Sequence, residues 1–332
     1  MSPPQEKITP PIKPARSDPF FIVLNVVSGK GDPTEVESTI REVLEAAGQA
    51  HEFVTIDDAA RLSEAAQRAV EQAKRRQGVV VAAGGDGTIS AVAQAALGSD
   101  RPFGVLPQGT FNYFGRTHGI SQDTAESTRA LLEAGVRPVQ IGMVNERTFL
   151  VNASLGLYPK ILEEREMHKQ RFGRSRPVAL WSAILTLLRE QRPLIIELEH
   201  EQGTETIRTP TLFIGNNALQ LQQIGIPEAS VVAEGLLTAI TVKPVGTPAM
   251  FGLLIRGLLG RLGEARLVQS FAFRRLTVRP RWPYRSRCMK VALDGEVIWL
   301  PTPLEFRVAP HPLLLLVPAR KTPTGVIGRA RW

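Results

Sequence analysis

Three short apolar runs, "FFIVLNVV" at 20–27, "GVVVAA" at 78–83 and "PFGVLP" at 102–107, each lead straight into a glycine-containing loop: "SGKGD", "GGDGT" and "PQGTFN". Helical patterns separate these runs, and that alternation is what most restricts the fold. Val36, Ile40, Val43, Leu44 and Ala47 share one helical face, with Thr34 and Glu37 spaced as a capping box. "HEFVTI" reads as a strand, "AARLSEAAQRAVEQAKRR" as a helix, the segment from Thr88 to Leu97 as a helix, and "DTAESTRALLEAG" as another. Strand alternating with helix implies parallel pairing with helices on both faces of the sheet. Ligands of such sheets bind beyond the carboxyl ends of the strands, where all three glycine loops fall.

After about residue 145 the rhythm changes. "PLIIELEHEQGTETIRT", "TLFIGNN", "LLTAITVKPV", "FAFRRLTVRP", "MKVALDGEVIWL", "PLEFRVA" and "LLLLVP" are strand-like and joined mostly by turn signals, as in an antiparallel sandwich. Helical insertions interrupt them near 160–191 and 248–264. The expected fold class is therefore α/β, an N-terminal doubly wound α/β nucleotide-binding domain followed by an antiparallel β-sandwich. The expected boundaries are a proline-rich, polar leader at 1–18, the first domain at 19–147, the sandwich at 148–318 and a basic tail at 319–332.

The chain has 332 residues, enough for a substantial core, and at 43% hydrophobic and 22% charged its composition is that of a globular protein. Its one cysteine, Cys288, cannot form an internal disulfide, and with no signal-like start this favours a cytoplasmic protein. No apolar run approaches the roughly 20 residues that span a bilayer. The net charge of +8 draws phosphate-rich partners. Without a zinc spacing or a ribonucleoprotein motif, no nucleic acid is expected, which leaves anionic lipid. Arginines gather between Glu264 and Asp294, an interval with no acidic residue that also holds Trp282 and Tyr284. This points to an anionic membrane surface as a partner through Arg281, Arg285 and Arg287, and to peripheral association.

The loop "GGDGT" at 84–88 poses the chemical question. Glycines let the backbone approach a ligand, and the following helix offers unpaired N–H groups and a positive dipole end to a phosphate. Asp86 would repel that phosphate unless a metal bridges them or the carboxylate takes a proton from an attacking hydroxyl. The loop is not a Walker A site, since no G-x-x-x-x-G-K-[ST] occurs. Taken alone, "GGDGT" could also be a structural turn, Asn112 a cap, His118 a packing residue, and Asp294 only the corner of the hairpin "VALDGEVIW".

"GGDGT" at 84–88, "PQGTFN" at 107–112 and "LDGE" at 293–296, in this order, resemble the diacylglycerol kinase and sphingosine kinase catalytic-domain family. "NASLGLYPKILEERE" and "FIGNN" are similar to its bacterial lipid-kinase branch, so the resemblance spans residues 20–318. It implies ATP and Mg²⁺ held between the two domains and a lipid alcohol as phosphoryl acceptor. By position, Asn25, Ser28, Gly29, Gly84, Gly85, Asp86, Gly87, Thr88, Thr110 and Asn112 would line the nucleotide site. Asp294 and Glu296 would arrive from the sandwich, Asp86 would face the Mg²⁺ of the nucleotide, and either Asp294 or Asp86 would be the general base.

The chain departs from the family pattern at several points. Ser90 and Ala91 stand where Asn-Glu is usual, Tyr113 where Asp or His is common, and Val26 where a proline is expected. The "DGLLD" of a structural metal site is "EGLLT" here, leaving Glu234 as its remaining carboxylate and Thr238 in place of the other. An NAD kinase-like enzyme and a lipid-binding or regulatory module of weakened catalysis are the alternative functions, and a homodimer is left open.

Overall fold

The computed structural model describes residues 18–26, 32–109, 112–172, 193–201, 203–281 and 287–318. Ser28, Gly29 and Thr110, together with Trp282, Tyr284 and Arg285, lie outside the described residues.

The first lobe runs β1 (Phe20–Asn25), α1 (Pro33–Ala46), β2 (His51–Ile56), α2 (Leu62–Arg76), β3 (Val79–Gly84), α3 (Asp86–Ala96), β4 (Phe103–Pro107), α4 (Tyr113–Thr117), α5 (Thr124–Glu133) and β5 (Gly135–Val139). β1 pairs in parallel with β2 and β3, and β3 in parallel with β4. All six residues of β1 are buried, as a strand covered on both faces requires. Alternation sends Phe21 and Val23 to the α2–α3 side, where they meet Ala66, Ile89 and Val92, and Phe20, Ile22 and Leu24 to the other side with Ile40 and Leu44 of α1. α1 starts two residues earlier than the Thr34–Glu37 box implies. Pro33, preset for the first helical position, puts the cap on Asp32, whose carboxylate accepts from Thr34 N–H at 2.9 Å, and Glu37 pairs with Arg41 instead.

The second lobe contains β6 (Gly142–Val144), β7 (Arg147–Phe149), β8 (Asn152–Gly156), α6 (Leu157–Phe172), β9 (Leu194–His200), β10 (Gly203–Thr209), β11 (Thr211–Gly215), α7 (Ala218–Gln223), β12 (Leu237–Val242), α8 (Thr247–Leu258), β13 (Val268–Phe273), β14 (Arg275–Pro280), β15 (Cys288–Leu293), β16 (Glu296–Pro301) and β17 (Leu304–Val308). These strands form two antiparallel sheets, β10-β9-β14-β17-β6-β7 and β13-β12-β11-β8-β15-β16. Leu155, Ile214, Leu237 and Val291 of one sheet meet Leu198, Leu276, Val278 and Phe306 of the other in a closed apolar core. The expected class, a doubly wound α/β lobe followed by an antiparallel sandwich, is the one observed.

One strand is not where the sequence puts it. "LLLLV", expected in the sandwich, is β18 (Leu313–Val317) and lies in the first sheet, parallel to β4 and antiparallel to β5. Its neighbours there bury it on both faces: Leu315 packs with Phe103 and Val105, and Leu316 with Leu131. A run without polar alternation suits such a central strand better than a half-solvated sandwich strand. The sandwich is thus an insertion between the early strands of the first sheet and its final one. Among the described residues no helix is long and apolar enough to cross a membrane.

Leu315 is fully buried. Leu315→Ala should therefore destabilise the protein by about 2–5 kcal/mol in chemical denaturation, although the substitution lies close to the end of the sequence. A midpoint unchanged from the parent would remove β18 from the core of the first lobe.

Candidate active site

The site forms where the carboxyl ends of β3 and β4 meet the β15–β16 hairpin. Gly85, at the N-cap of α3, has no side chain with which to cap the first amides of that helix. The two glycine loops touch backbone to backbone: a Cβ on Gly109 would stand 3.1 Å from Gly85 Cα and 2.8 Å from Asn112 Oδ1. A Cβ on Gly84 would stand 2.7 Å from the Thr88 side chain, which is held in place by Asn25 Nδ2 donating to Thr88 Oγ1 at 3.0 Å. The structure therefore brings Asn25, Gly84, Gly85, Asp86, Gly87, Thr88 and Asn112 together at the strand ends.

Asn112 has positive φ at the start of α4. It anchors the second loop by donating from Nδ2 to Gly109 O at 2.7 Å, and its N–H donates to Asp86 Oδ2 at 3.3 Å. Its Oδ1 is buried with no hydrogen-bond partner among the described residues. Asp86 stands at the first position of α3, partly exposed. Burial, with the Asp294 carboxylate adding to it, holds Asp86 above the usual carboxylate range against the pull of the Asn112 N–H.

Asp294 belongs to the hairpin corner, in a left-handed conformation, and the corner alone does not explain it. Its Oδ1 accepts from Val151 N–H at 2.8 Å and Asn152 N–H at 3.1 Å, and its Oδ2 from Leu150 N–H at 2.8 Å and Ser90 Oγ at 2.7 Å. Burial pushes it upward too, against those four hydrogen bonds. The carboxylate is thus a tie between α3 and the entry to β8. Ser90, at the position where the family resemblance leads one to expect Asn, supplies the side-chain donor.

Glu296 follows two residues later at the head of β16. Its carboxylate fills the space that a side chain on Gly87 would need, and burial together with Asp294 raises it as well. Three carboxylates, two from the sandwich and one from the first lobe, thus crowd the N-terminus of α3, with Asp294 acting electrostatically on each of the other two.

The sequence reasoning missed a set of side-chain amides along the seam, two of whose bonds, at Asn216 and Asn217, tie the sandwich to residues that precede it. Gln140 Nε2 donates to Asn216 Oδ1 at 2.8 Å, and Asn216 Nδ2 donates to Leu150 O at 3.0 Å. Thr117 Oγ1 donates to Asn217 Oδ1 at 3.0 Å, and Asn152 Nδ2 to Gln220 Oε1 at 3.1 Å. Asparagines in consecutive positions just after an apolar strand, "FIGNN", are the signal that could have found them. His118 takes the packing role: its ring meets Phe114 edge-on at 4.9 Å, and burial, with Arg137 nearby, lowers its pKa to about 4. Glu234 ends the short turn Pro227–Glu234, and Thr238 Oγ1 donates to Glu228 O at 3.2 Å. Among the described residues, no three His, Cys, Asp or Glu side chains are arranged so that all three could hold one metal ion, there or elsewhere.

The residues present fit the groups that the resemblance implies. The uncapped amides of α3 and the bare glycine loops suit a phosphate chain. Mg²⁺ bound with phosphates needs only one or two protein carboxylates and keeps water on its other positions. Asp86 and Glu296, carboxylates crowded by a third, can supply them without a three-residue cage.

The profile of the diacylglycerol kinase catalytic domain matches residues 19–144. An uncharacterized protein of Synechocystis is 24% identical over 323 residues, which cover 91% of this chain and 70% of that protein. A "Probable lipid kinase YegS-like" protein of Klebsiella pneumoniae is 34% identical over 143 residues, covering 41% of this chain and 46% of its own. The "Diacylglycerol kinase" of Bacillus subtilis is 31% identical over 142 residues, covering 42% of this chain and 46% of its own. The chain thus matches less than half the length of either kinase. A solved structure described as a diacylglycerol kinase from Bacillus anthracis has a TM-score of 0.64 at 18% identity and covers 91% of this chain and 97% of its own, a likeness of fold. Residues 19–144 thus match the catalytic domain of the diacylglycerol kinases, and the chain as a whole shares the fold of that solved structure.

Proposed function

We propose that the protein is an ATP- and Mg²⁺-dependent lipid kinase that transfers the γ-phosphoryl group to the hydroxyl of a lipid alcohol of diacylglycerol or sphingoid type. The observation that carries this reading is the meeting of Asp86 with Asp294 and Glu296 at the uncapped start of α3, a site that neither lobe makes alone. Bound Mg²⁺ would neutralise charge on the transferring phosphates. The amides of Asp86, Gly87 and Thr88 orient the phosphate chain, with Asn25 and Asn112 holding the loops that frame it. With Glu296 and the phosphates holding the Mg²⁺, Asp86 would accept the proton of the attacking hydroxyl: it is partly open, and burial holds its carboxyl above the usual range, which makes its carboxylate the stronger base. Asp294, with both oxygens engaged by protein donors, positions Glu296 and α3. Transfer of labelled phosphate from ATP into a mixed lipid extract, with NAD tested in parallel, checks the reading. Label in NAD would make the protein an NAD kinase-like enzyme. Lipid binding without transfer would make it a regulatory module.

Asp86→Asn keeps the acceptor for Asn112 N–H and removes the charge. Turnover should fall by about 10²-fold or more. Stability should move the other way. The folded-state pKa of Asp86 lies above its ordinary 3.8, so ionisation disfavours the folded state at neutral pH, and the neutral amide removes that penalty. The variant's melting temperature should exceed the parent's at pH 7, and the gain should shrink as pH falls through the raised folded-state value and vanish well below 3.8, where the parent carboxyl is protonated in both states. Unchanged turnover would leave Asp86 a structural role only.

Asp294→Asn suits the hairpin turn but not the cradle. The amide nitrogen would face N–H donors, and each buried donor left without an acceptor costs about 1–3 kcal/mol. Both the denaturation midpoint and turnover should drop, whereas Ser90→Ala, which leaves three backbone donors, should cost less. Parent-like stability of Asp294→Asn would reduce Asp294 to a turn residue.

A further inference from the structure

α8 carries apolar side chains on both of its faces. A helix laid on a protein normally buries one apolar stripe and turns polar side chains outward. Met250 and Leu253 are buried with Leu157, Val242 and Ala265. Phe251, Leu254, Ile255 and Leu258 stand at i, i+3, i+4 and i+7 and so form one stripe, on a different side of the helix from Met250 and Leu253. Their exposures are 42%, 38%, 43% and 83%, and Leu259 just beyond the helix is 67% exposed. Isolated exposed leucines are ordinary, but a continuous apolar stripe about 10 Å long marks a surface that is covered in use.

The segment that carries the stripe holds charge of one sign. From Gly235 to Gly263 there is no acidic residue, while Lys243, Arg256 and Arg261 lie in that interval and are exposed. Only at Glu264 does an acid return, at 3.7 Å from Arg261. The arginines of β14 and its end are placed differently. Arg279 pairs with Glu199 and Glu197, and Arg281 with Glu197, all from β9, so much of the charge that is concentrated along the sequence is neutralised across the sheet.

We propose that the outer face of α8, with its basic flanks, is the surface by which this protein seats on an anionic lipid membrane. Phe251, Leu254, Ile255 and Leu258 enter the boundary between headgroups and acyl chains while Lys243, Arg256 and Arg261 meet the headgroups, the arrangement of an interfacial amphipathic helix. A twofold contact between two copies would set the same basic flanks against themselves, which disfavours that occupant. The inference rests on the lipid-kinase reading for its biological sense but is measured without turnover.

The test is cosedimentation of the full chain with phosphatidylcholine vesicles, with and without phosphatidylglycerol. Binding should require the anionic lipid and weaken as salt is raised. The double variant Phe251→Gln/Leu258→Gln should bind at least about tenfold more weakly, and Arg256→Gln/Arg261→Gln should lose the preference for anionic vesicles. Parent-like binding of the apolar variant overturns the proposal. So does a parent dimer in size-exclusion chromatography that the variant dissolves, or strong hydrogen-exchange protection of 251–258 without lipid, which would mean that another part of the chain covers the stripe. Phosphorylation of a short-chain lipid alcohol free in solution should be unaffected by either double variant. Its absence in the parent would sink the kinase reading while leaving vesicle binding intact.

Discussion

Asp294 needs four donors, and finding them fixes the relative placement of the two lobes. A buried carboxylate is tolerated only where its charge is met by hydrogen bonds. Here the donors are three successive backbone N–H groups, from Leu150, Val151 and Asn152, and the hydroxyl of Ser90 on α3. The backbone donors belong to the entry of the sandwich and the hydroxyl to the first lobe. Satisfying one side chain therefore sets the angle at which the β15–β16 hairpin meets the glycine loops, and with it the position of Glu296 against Gly87. The asparagine ties at Asn216 and Asn217 reinforce the same seam. A lobe junction made of polar bonds with fixed directions holds a geometry more narrowly than an apolar contact of equal area.

The crowding that follows is a strain kept at a functional place. Burial raises both Asp86 and Glu296, and the neighbouring Asp294 adds to each. A fold selected for stability alone would not gather three carboxylates at one helix start, although a helix start is the less costly end for them. The arrangement makes sense when a cation and a phosphate chain complete the charge balance, and it makes the site a region where stability and activity pull in opposite directions.

Much of the fold was legible because its signals are local. The strand, glycine loop and helix sequence at 79–97 needed only short-range periodicity, as did the Asp-Gly hairpin. The early start of α1 was missed because Pro33 outranks the Thr34–Glu37 spacing. β18 was assigned to the wrong sheet because order along the chain was allowed to outweigh pattern, although five apolar residues in succession favour burial on both faces. At the site, the residue types of Asp86, Asp294 and Glu296 were readable, but their division of labour was not. Nothing local announces that Leu150 to Asn152 will donate to a side chain more than 140 positions away. The same blindness to distance made the arginines of β14 look like a free basic surface, when Glu197 and Glu199 of an adjacent strand stand opposite them.

Insertion of the sandwich between β4 and β18 also has a consequence for synthesis. β4 ends at Pro107 and β18 begins at Leu313, so the ribosome makes the whole sandwich before the first sheet can be finished. At about 5–20 residues per second, this interval lasts roughly 10–40 s. Throughout it the nascent first lobe carries β4 as a bare edge, with unpaired N–H and C=O groups beside the apolar side chains that Leu315 and Leu316 will later cover. The sandwich, whose strands are all available earlier, can close while its host is still open. The part of the chain that starts first is therefore completed last, and during that wait it is the part most exposed to chaperones and to mispairing with other nascent chains.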